Sequence, residues 1–244
     1  MLRWPFRRAR VAETLEPQAA YALWADTYPP YAHNALMALE QRTVLSLLPN
    51  LAGRTVIDAG CGSGRYLREL RNLGAEPIGV DLSGPMLAQA RPLRSHLVRG
   101  NLCALPIDAA SVDVIVCALA LGDVPNLELA LGEMARVLRP GGCVVYSVVH
   151  PIGANAGWSR TFEAQGRLMA IDGYWHTAEE HRRACAAAGL TITAWQEPGF
   201  SAFVDDPVVL VVRASSHPRT SVEPLSNPRR TSVEPPSSPR RTVG

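Results

Sequence analysis

Thr55-Val56-Ile57-Asp58-Ala59-Gly60-Cys61-Gly62-Ser63-Gly64 carries an apolar run of strand length into a turn with glycine at every second position. A strand that ends in such a turn and feeds a helix opens a βαβ unit. Glycine tolerates positive φ and has no Cβ, so a ligand can lie directly on this backbone. A dinucleotide fingerprint would place a third small residue where Arg65 stands. Asp58, at the loop entrance, repels phosphate and suits a ligand that carries an ammonium group. A second carboxylate, Asp81, closes the next apolar run, Pro77-Ile78-Gly79-Val80-Asp81. It falls about 20 residues past the glycine turn, where an acid can hold both ribose hydroxyls. Taken alone, the turn leaves a dinucleotide and another nucleoside-like ligand both open.

Working outward, runs of strand character alternate with runs of helical character, the signature of a parallel sheet with crossover helices. Strands are expected near residues 54–59, 76–81, 96–99, 111–119, 142–150, 190–196 and 207–214. Helices are expected at 64–73, at 85–91 with Ser83 as N-cap, at 127–138 up to the Pro140-Gly141-Gly142 stop, and at 178–188. Two more, 17–26 and 34–48, precede the first strand, and an irregular insert bearing Trp158, Phe162, Tyr174 and Trp175 follows Pro151.

Composition narrows the class. The chain has 244 residues, 47% of them hydrophobic, enough for a substantial core plus tails. No apolar run approaches membrane-spanning length, and the basic start lacks the apolar segment of a secretory signal. Five cysteines without C-x-x-C spacing point to a reduced cytoplasmic protein with no metal site. The net charge of +2 is uneven: the first ten residues carry +4 and residues 217–244 carry +3, leaving −5 for residues 11–216. An acidic core disfavours nucleic-acid binding, which needs clustered cations. Arg-Thr-Ser-Val-Glu-Pro stands at 219–224 and again at 230–235, so the end of the chain reads as a disordered tail.

Several blocks together carry a resemblance. The segment 56–64 is similar to motif I of the class I S-adenosylmethionine-dependent methyltransferases, and Gly79-Val80-Asp81-Leu82-Ser83-Gly84-Pro85-Met86-Leu87 resembles the segment that follows it. Asn101-Leu102-Cys103-Ala104-Leu105-Pro106, Ser111-Val112-Asp113-Val114-Ile115 and Arg136-Val137-Leu138-Arg139-Pro140-Gly141-Gly142 resemble the later motifs in order and spacing. The likeness covers roughly residues 20 to 215 and is nearest to the small-molecule branch that includes ubiquinone and menaquinone biosynthesis enzymes. It implies a Rossmann-like α/β fold: a seven-stranded, mostly parallel sheet with helices on both faces and an N-terminal helical lid. The implied domains are a flexible basic N-terminus (1–12), the lid (13–50), the methyltransferase domain (51–215, with the insert 151–176 over the substrate pocket) and the tail (216–244).

The resemblance also implies S-adenosyl-L-methionine as cofactor. Its methionine end is expected on Gly60, Cys61, Gly62 and Gly64 beside Asp58, its ribose on Asp81, and its adenine among Leu82, Met86 and Leu102, with Ala118 and Tyr28 nearby. Asn101 stands where the family usually has an aspartate that receives the adenine amino group; an amide oxygen can also accept that bond. Leu82 and Met86 read equally well as core. Tyr28-Pro29-Pro30-Tyr31 superficially matches the Pro-Pro-Tyr motif of nucleic-acid amino methyltransferases, but no apolar strand precedes it. Tyr28 or Tyr31 is instead expected to cover the cofactor from the lid, unless the segment is only a rigid connector.

A methyl sulfonium is already electrophilic, so the protein's task is to align a nucleophile in a dry pocket, and no metal is required. A general base, where the acceptor needs one, should lie past the carboxyl ends of the strands. His150 and Asp123 occupy that position, His176 borders the insert, and His33 lies in the lid. Each histidine has a structural alternative, as a hydrogen-bonded core residue or a helix cap. Arg160 could pair with a carboxylate or phosphate. The expected activity is methyl transfer to oxygen or carbon of a small metabolite. An RNA or protein methyltransferase and a non-catalytic cofactor-binding module are the competing readings, and the oligomeric state is left open.

Overall fold

The computed structural model describes residues 13–93, 95–200 and 207–217. Seven strands form one sheet: β2 (Val56–Ala59), β3 (Ile78–Asp81), β4 (His96–Arg99), β5 (Val112–Ala118), β6 (Leu138–Val149), β9 (Leu190–Gln196) and β10 (Val209–Ser216). Their order is β4-β3-β2-β5-β6-β10-β9. The first five are parallel neighbours, and β10 alone runs against both of its neighbours. Chain order reverses between β2 and β5, which opens a crevice at their carboxyl ends.

The central strands are buried on both faces, and alternate residues sort to opposite helix layers. Ile115 and Cys117 pack with α5 (Leu127–Val137) and α6 (Ala178–Ala187), whereas Val114 and Val116 pack with α2 (Ala35–Leu47) and α3 (Arg65–Asn72). Each fully buried large aliphatic side chain contributes about 1.5–3 kcal/mol to this three-layer core. α4 (Gly84–Ala90) starts where Ser83 Oγ accepts the Met86 N–H, as its cap position predicts. Asn34 and Asn126 cap α2 and α5 in the same way.

Two features depart from the sequence reading. The strand expected to begin at 142 starts at Leu138, directly off α5, because Leu138 pairs with Val112 and a register shift between Val112 and Val114 absorbs the extra residues. The insert is not irregular. β7 (Arg160–Ala164) and β8 (Arg167–Ile171) form a hairpin, and β1 (Glu13–Leu15), at the start of the segment read as the helical lid and ahead of its first expected helix, adds to β8 in parallel. This small second sheet buries Phe162, Met169 and Ile171 against Ala20 of α1 (Pro17–Trp24). The basic start (1–12) and the repeat (218–244) lie outside the described residues, while β10 itself reaches Ser216. Among the described residues no helix is long and apolar enough to cross a membrane.

Candidate functional site

The glycine turn is fixed from both sides. Gly60 and Cys61 N–H both donate to Val80 O (2.7 and 3.0 Å), which hangs the loop on the end of β3. Gly60 has φ +77°, and a Cβ there would stand 2.5 Å from Ala120 Cβ, so this close approach across the crevice requires glycine. At Gly62 (φ +53°) a Cβ would meet open space, which leaves the backbone bare toward the cavity. Gly62 N–H donates to Asp81 Oδ2 (2.8 Å) and Ser83 N–H to Asp81 Oδ1 (2.8 Å). Asp81 is thereby oriented by a backbone donor on each oxygen, with the Leu82 N–H close by as well.

A cavity of about 620 Å³ opens over this turn. Asp58, Gly60, Cys61, Gly62 and Asp81 border it, as do Leu82, Met86, Asn101, Leu102, Ala118 and Tyr28. Of the expected cofactor residues only Gly64 does not; it is the left-handed N-cap of α3. Asp58 is buried, its Oδ2 has no hydrogen-bond partner, and burial pushes its carboxyl up to about 7. Asn101 Oδ1 accepts the Cys103 N–H (2.9 Å), which fixes that amide at the cavity edge.

The lid supplies an aromatic roof. Tyr21, Trp24, Tyr28 and His33 border the cavity, and Trp24 meets Tyr28 edge-on at 4.7 Å and stacks on Phe162 at 4.8 Å. Tyr31 is 59% exposed and does not border it, so of the Tyr28–Tyr31 pair it is Tyr28 that faces inward. The roof is anchored by Glu40 of α2, which is fully buried. Glu40 accepts from Arg65 Nη1 (2.8 Å), Tyr66 Oη (2.9 Å) and Ser147 Oγ (2.6 Å). Arg65, the residue that breaks the dinucleotide fingerprint, is therefore the counter-ion of a buried acid on the lid.

A methyltransferase-domain family model matches residues 57–146. A malonyl-[acyl-carrier protein] O-methyltransferase of Pseudescherichia vulneris is 32% identical over 202 residues, covering 77% of this chain and 73% of that protein. The chain belongs to the S-adenosylmethionine-dependent methyltransferase family. S-adenosyl-L-methionine is the cofactor of that family. The enzyme of the same name from Salmonella typhimurium strain LT2 is 38% identical over 136 residues, which cover 54% of this chain and 52% of that protein. The matches to the first three such relatives span only 52%, 55% and 57% of their length. Among solved structures, an S-adenosylmethionine-dependent methyltransferase from Mesorhizobium loti superposes with a TM-score of 0.62 at 26% identity, covering 72% of this chain and 97% of that one.

Set against the methyltransferase family's expected chemistry, the proposed bases separate. Asp123, in the short 3-10 turn after β5, borders the large cavity and pairs with Arg160 of β7. Arg160 Nη1 also donates to Tyr21 Oη (3.4 Å), and burial beside Asp123 pushes the Tyr21 phenol well up. His176 borders a second, smaller cavity and holds its Nε2 on Val124 O (2.8 Å). His150 borders neither. Its Nδ1 accepts the Ile152 N–H (3.2 Å) and caps the turn after β6, and its Nε2 faces Glu197 Oε1 (3.1 Å) just past β9, so both ring nitrogens are engaged in structural contacts. Sequence reasoning did not join Asp123 to Arg160, 37 residues apart, because only the hairpin brings them together.

Proposed function

We propose that this protein moves a methyl group from S-adenosylmethionine to an oxygen of a small acceptor, free or carried on an acyl carrier. The observation that carries this is one continuous cavity wall, from Asp58, Gly62 and Asp81 at the turn to the Asp123–Arg160 pair under the aromatic roof. The residues present fit the cofactor. Asp58 offers an unpartnered buried oxygen to an ammonium group, Gly62 a bare backbone, and Asp81 two oriented oxygens to a diol. Leu82, Met86 and Leu102 supply apolar walls for a base. When bound, S-adenosylmethionine supplies an electrophilic methyl group.

The chain's own residues do the rest. The roof of Trp24 and Tyr28 excludes water, and holding the acceptor in line can contribute up to about 7–11 kcal/mol to such a transfer. Asp123, held by Arg160, is placed to take the proton from an acceptor hydroxyl, and Arg160 to steady an acceptor oxygen that is already anionic. Neither His150 nor His176 reaches this chamber, which supports Asp123 as the group that accepts a proton. All five cysteines are free, which supports a reducing compartment such as the cytoplasm.

Calorimetric titration with S-adenosylmethionine, S-adenosylhomocysteine and NAD tests the cofactor site; binding of NAD alone would end this reading. A labelled-methyl assay over carboxylate and hydroxyl acceptors then tests the chemistry. Asp123→Asn should lower transfer to hydroxyls by roughly 10²–10⁴ while cofactor affinity stays within about twofold. Equal rates in the two proteins would remove Asp123 from the mechanism.

A further inference from the structure

Behind the Asp123–Arg160 pair lies the second cavity, of about 200 Å³. Leu119, Val149, Arg160, Ile171 and Tyr174 border both cavities, so a single layer of side chains separates them. Trp158, Trp175 and Tyr174 give the smaller one aromatic walls. The two indoles come together over Gly153, where a Cβ would lie 2.5 Å from one ring and 2.6 Å from the other.

One polar side chain stands out in this wall. His181 of α6 is fully buried, and neither ring nitrogen has a hydrogen-bond partner. Its ring stacks on Tyr146 (5.5 Å) and meets the edge of His176 (6.1 Å), so it is held in place by packing alone. Burial pushes the imidazole down to about 4, which keeps it neutral at physiological pH, with one N–H to give and one lone pair to receive. Burying a polar group without a partner is costly, and a partner in the cavity would remove that cost. The other histidine of this wall, His176, already spends its Nε2 on Val124 O.

We propose that the second cavity binds a single six-membered ring bearing a neutral hydroxyl or carbonyl group, with His181 as its hydrogen-bond partner. The size argues for one ring, since an apolar cavity of roughly 150 Å³ admits benzene. Indole and phenol faces favour a flat guest. A neutral imidazole favours a neutral polar substituent over a carboxylate or an ammonium group. The inference rests on the proposed function only in assigning this ring to the acceptor, whose far end would then lie against Arg160, the charged residue among the five that border both chambers.

Phenol and toluene, titrated calorimetrically into the full chain, test it. Phenol is expected to bind, and the toluene-to-phenol ratio of dissociation constants should fall roughly three- to tenfold in His181→Phe, the change expected for one lost hydrogen bond. If phenol does not bind, or if the ratio is the same in His181→Phe, the proposal is overturned and water satisfies the imidazole instead. S-adenosylhomocysteine affinity, read on the same samples, reports whether the variant is folded. Should the variant not fold, ¹⁵N resonances of the His181 ring in the unaltered protein decide: they should move with phenol and hold still with toluene, and no movement with phenol overturns the assignment. Phenol binding without any S-adenosylhomocysteine binding would sink the cofactor reading and leave this site standing.

Discussion

At the scale of single residues, Asp58 holds the most chemistry. Its carboxyl is pushed up to about 7, first by burial and then by Asp81 and Glu40, against the lowering influence of Arg65. An ammonium group seated beside it would reverse that balance, because an opposite charge within a few ångströms favours the ionised acid. Cofactor binding below pH 7 should therefore release a proton. Binding enthalpies of S-adenosylmethionine measured at pH 6 in buffers of different ionisation enthalpy should fall on a sloped line; a flat line would mean that Asp58 does not meet the ammonium. Asp58→Asn keeps the shape and removes the charge, so it should weaken cofactor binding roughly 10- to 100-fold and abolish the slope.

At the scale of elements, a buried polar knot joins the lid to the sheet. Glu40 on α2 takes three donors, two from the start of α3 and one, Ser147 Oγ, from β6. Removing one partner of a buried ion pair strands the other, at a cost of about 3–5 kcal/mol, whereas replacing both with apolar residues of similar volume is nearly neutral. Glu40→Leu should thus lower the denaturation midpoint sharply, and adding Arg65→Met should restore part of the loss, the Tyr66 and Ser147 hydroxyls staying without their acceptor. An additive double variant would show that the pair does not couple lid and core. The same contrast explains what the sequence could reveal. β2, β3 and β5 are continuous apolar runs closed by turn residues, and the glycine turn, Asp58 and Asp81 are local patterns, so each was readable in place. The β7–β8 hairpin carried a usable signal, since Gln165 (φ +52°) and Gly166 (φ +70°) form a two-residue turn between five-residue strands. Its flanking residues do not alternate cleanly, however, because one end packs on α1 while Arg160 turns to Asp123. The pairs Glu40–Arg65 and Asp123–Arg160 join elements far apart in sequence, and no local pattern announces them.

Over the whole molecule, two buried groups resist charging and pull stability in opposite directions with pH. Asp58 has its folded value raised from near 3.8 to about 7, so the unfolded chain ionises first as pH rises. Its contribution is fully present below pH 3.8 and is lost as pH climbs through 7. His181 has its folded value lowered from near 6.5 to about 4, owing to burial and the neighbouring His176, with Glu180 opposing. Its contribution is fully present above pH 6.5 and is lost as pH falls through 4. The shifts correspond to roughly 4–5 kcal/mol for Asp58 and roughly 3–4 kcal/mol for His181 at full extent, since one unit is about 1.4 kcal/mol. Between pH 4 and 6.5 the two slopes oppose each other, and near pH 7 only the loss from Asp58 is still growing. Urea midpoints of the cofactor-free protein from pH 4 to 8 should therefore rise on the alkaline side in Asp58→Asn relative to the unaltered chain. In His181→Phe the midpoint should gain most at the acid end, where the unaltered protein has to protonate a histidine that its core holds neutral. If both variants run parallel to the unaltered protein across the range, the two groups are hydrated in the folded state, and the cavities they border are wet rather than sealed.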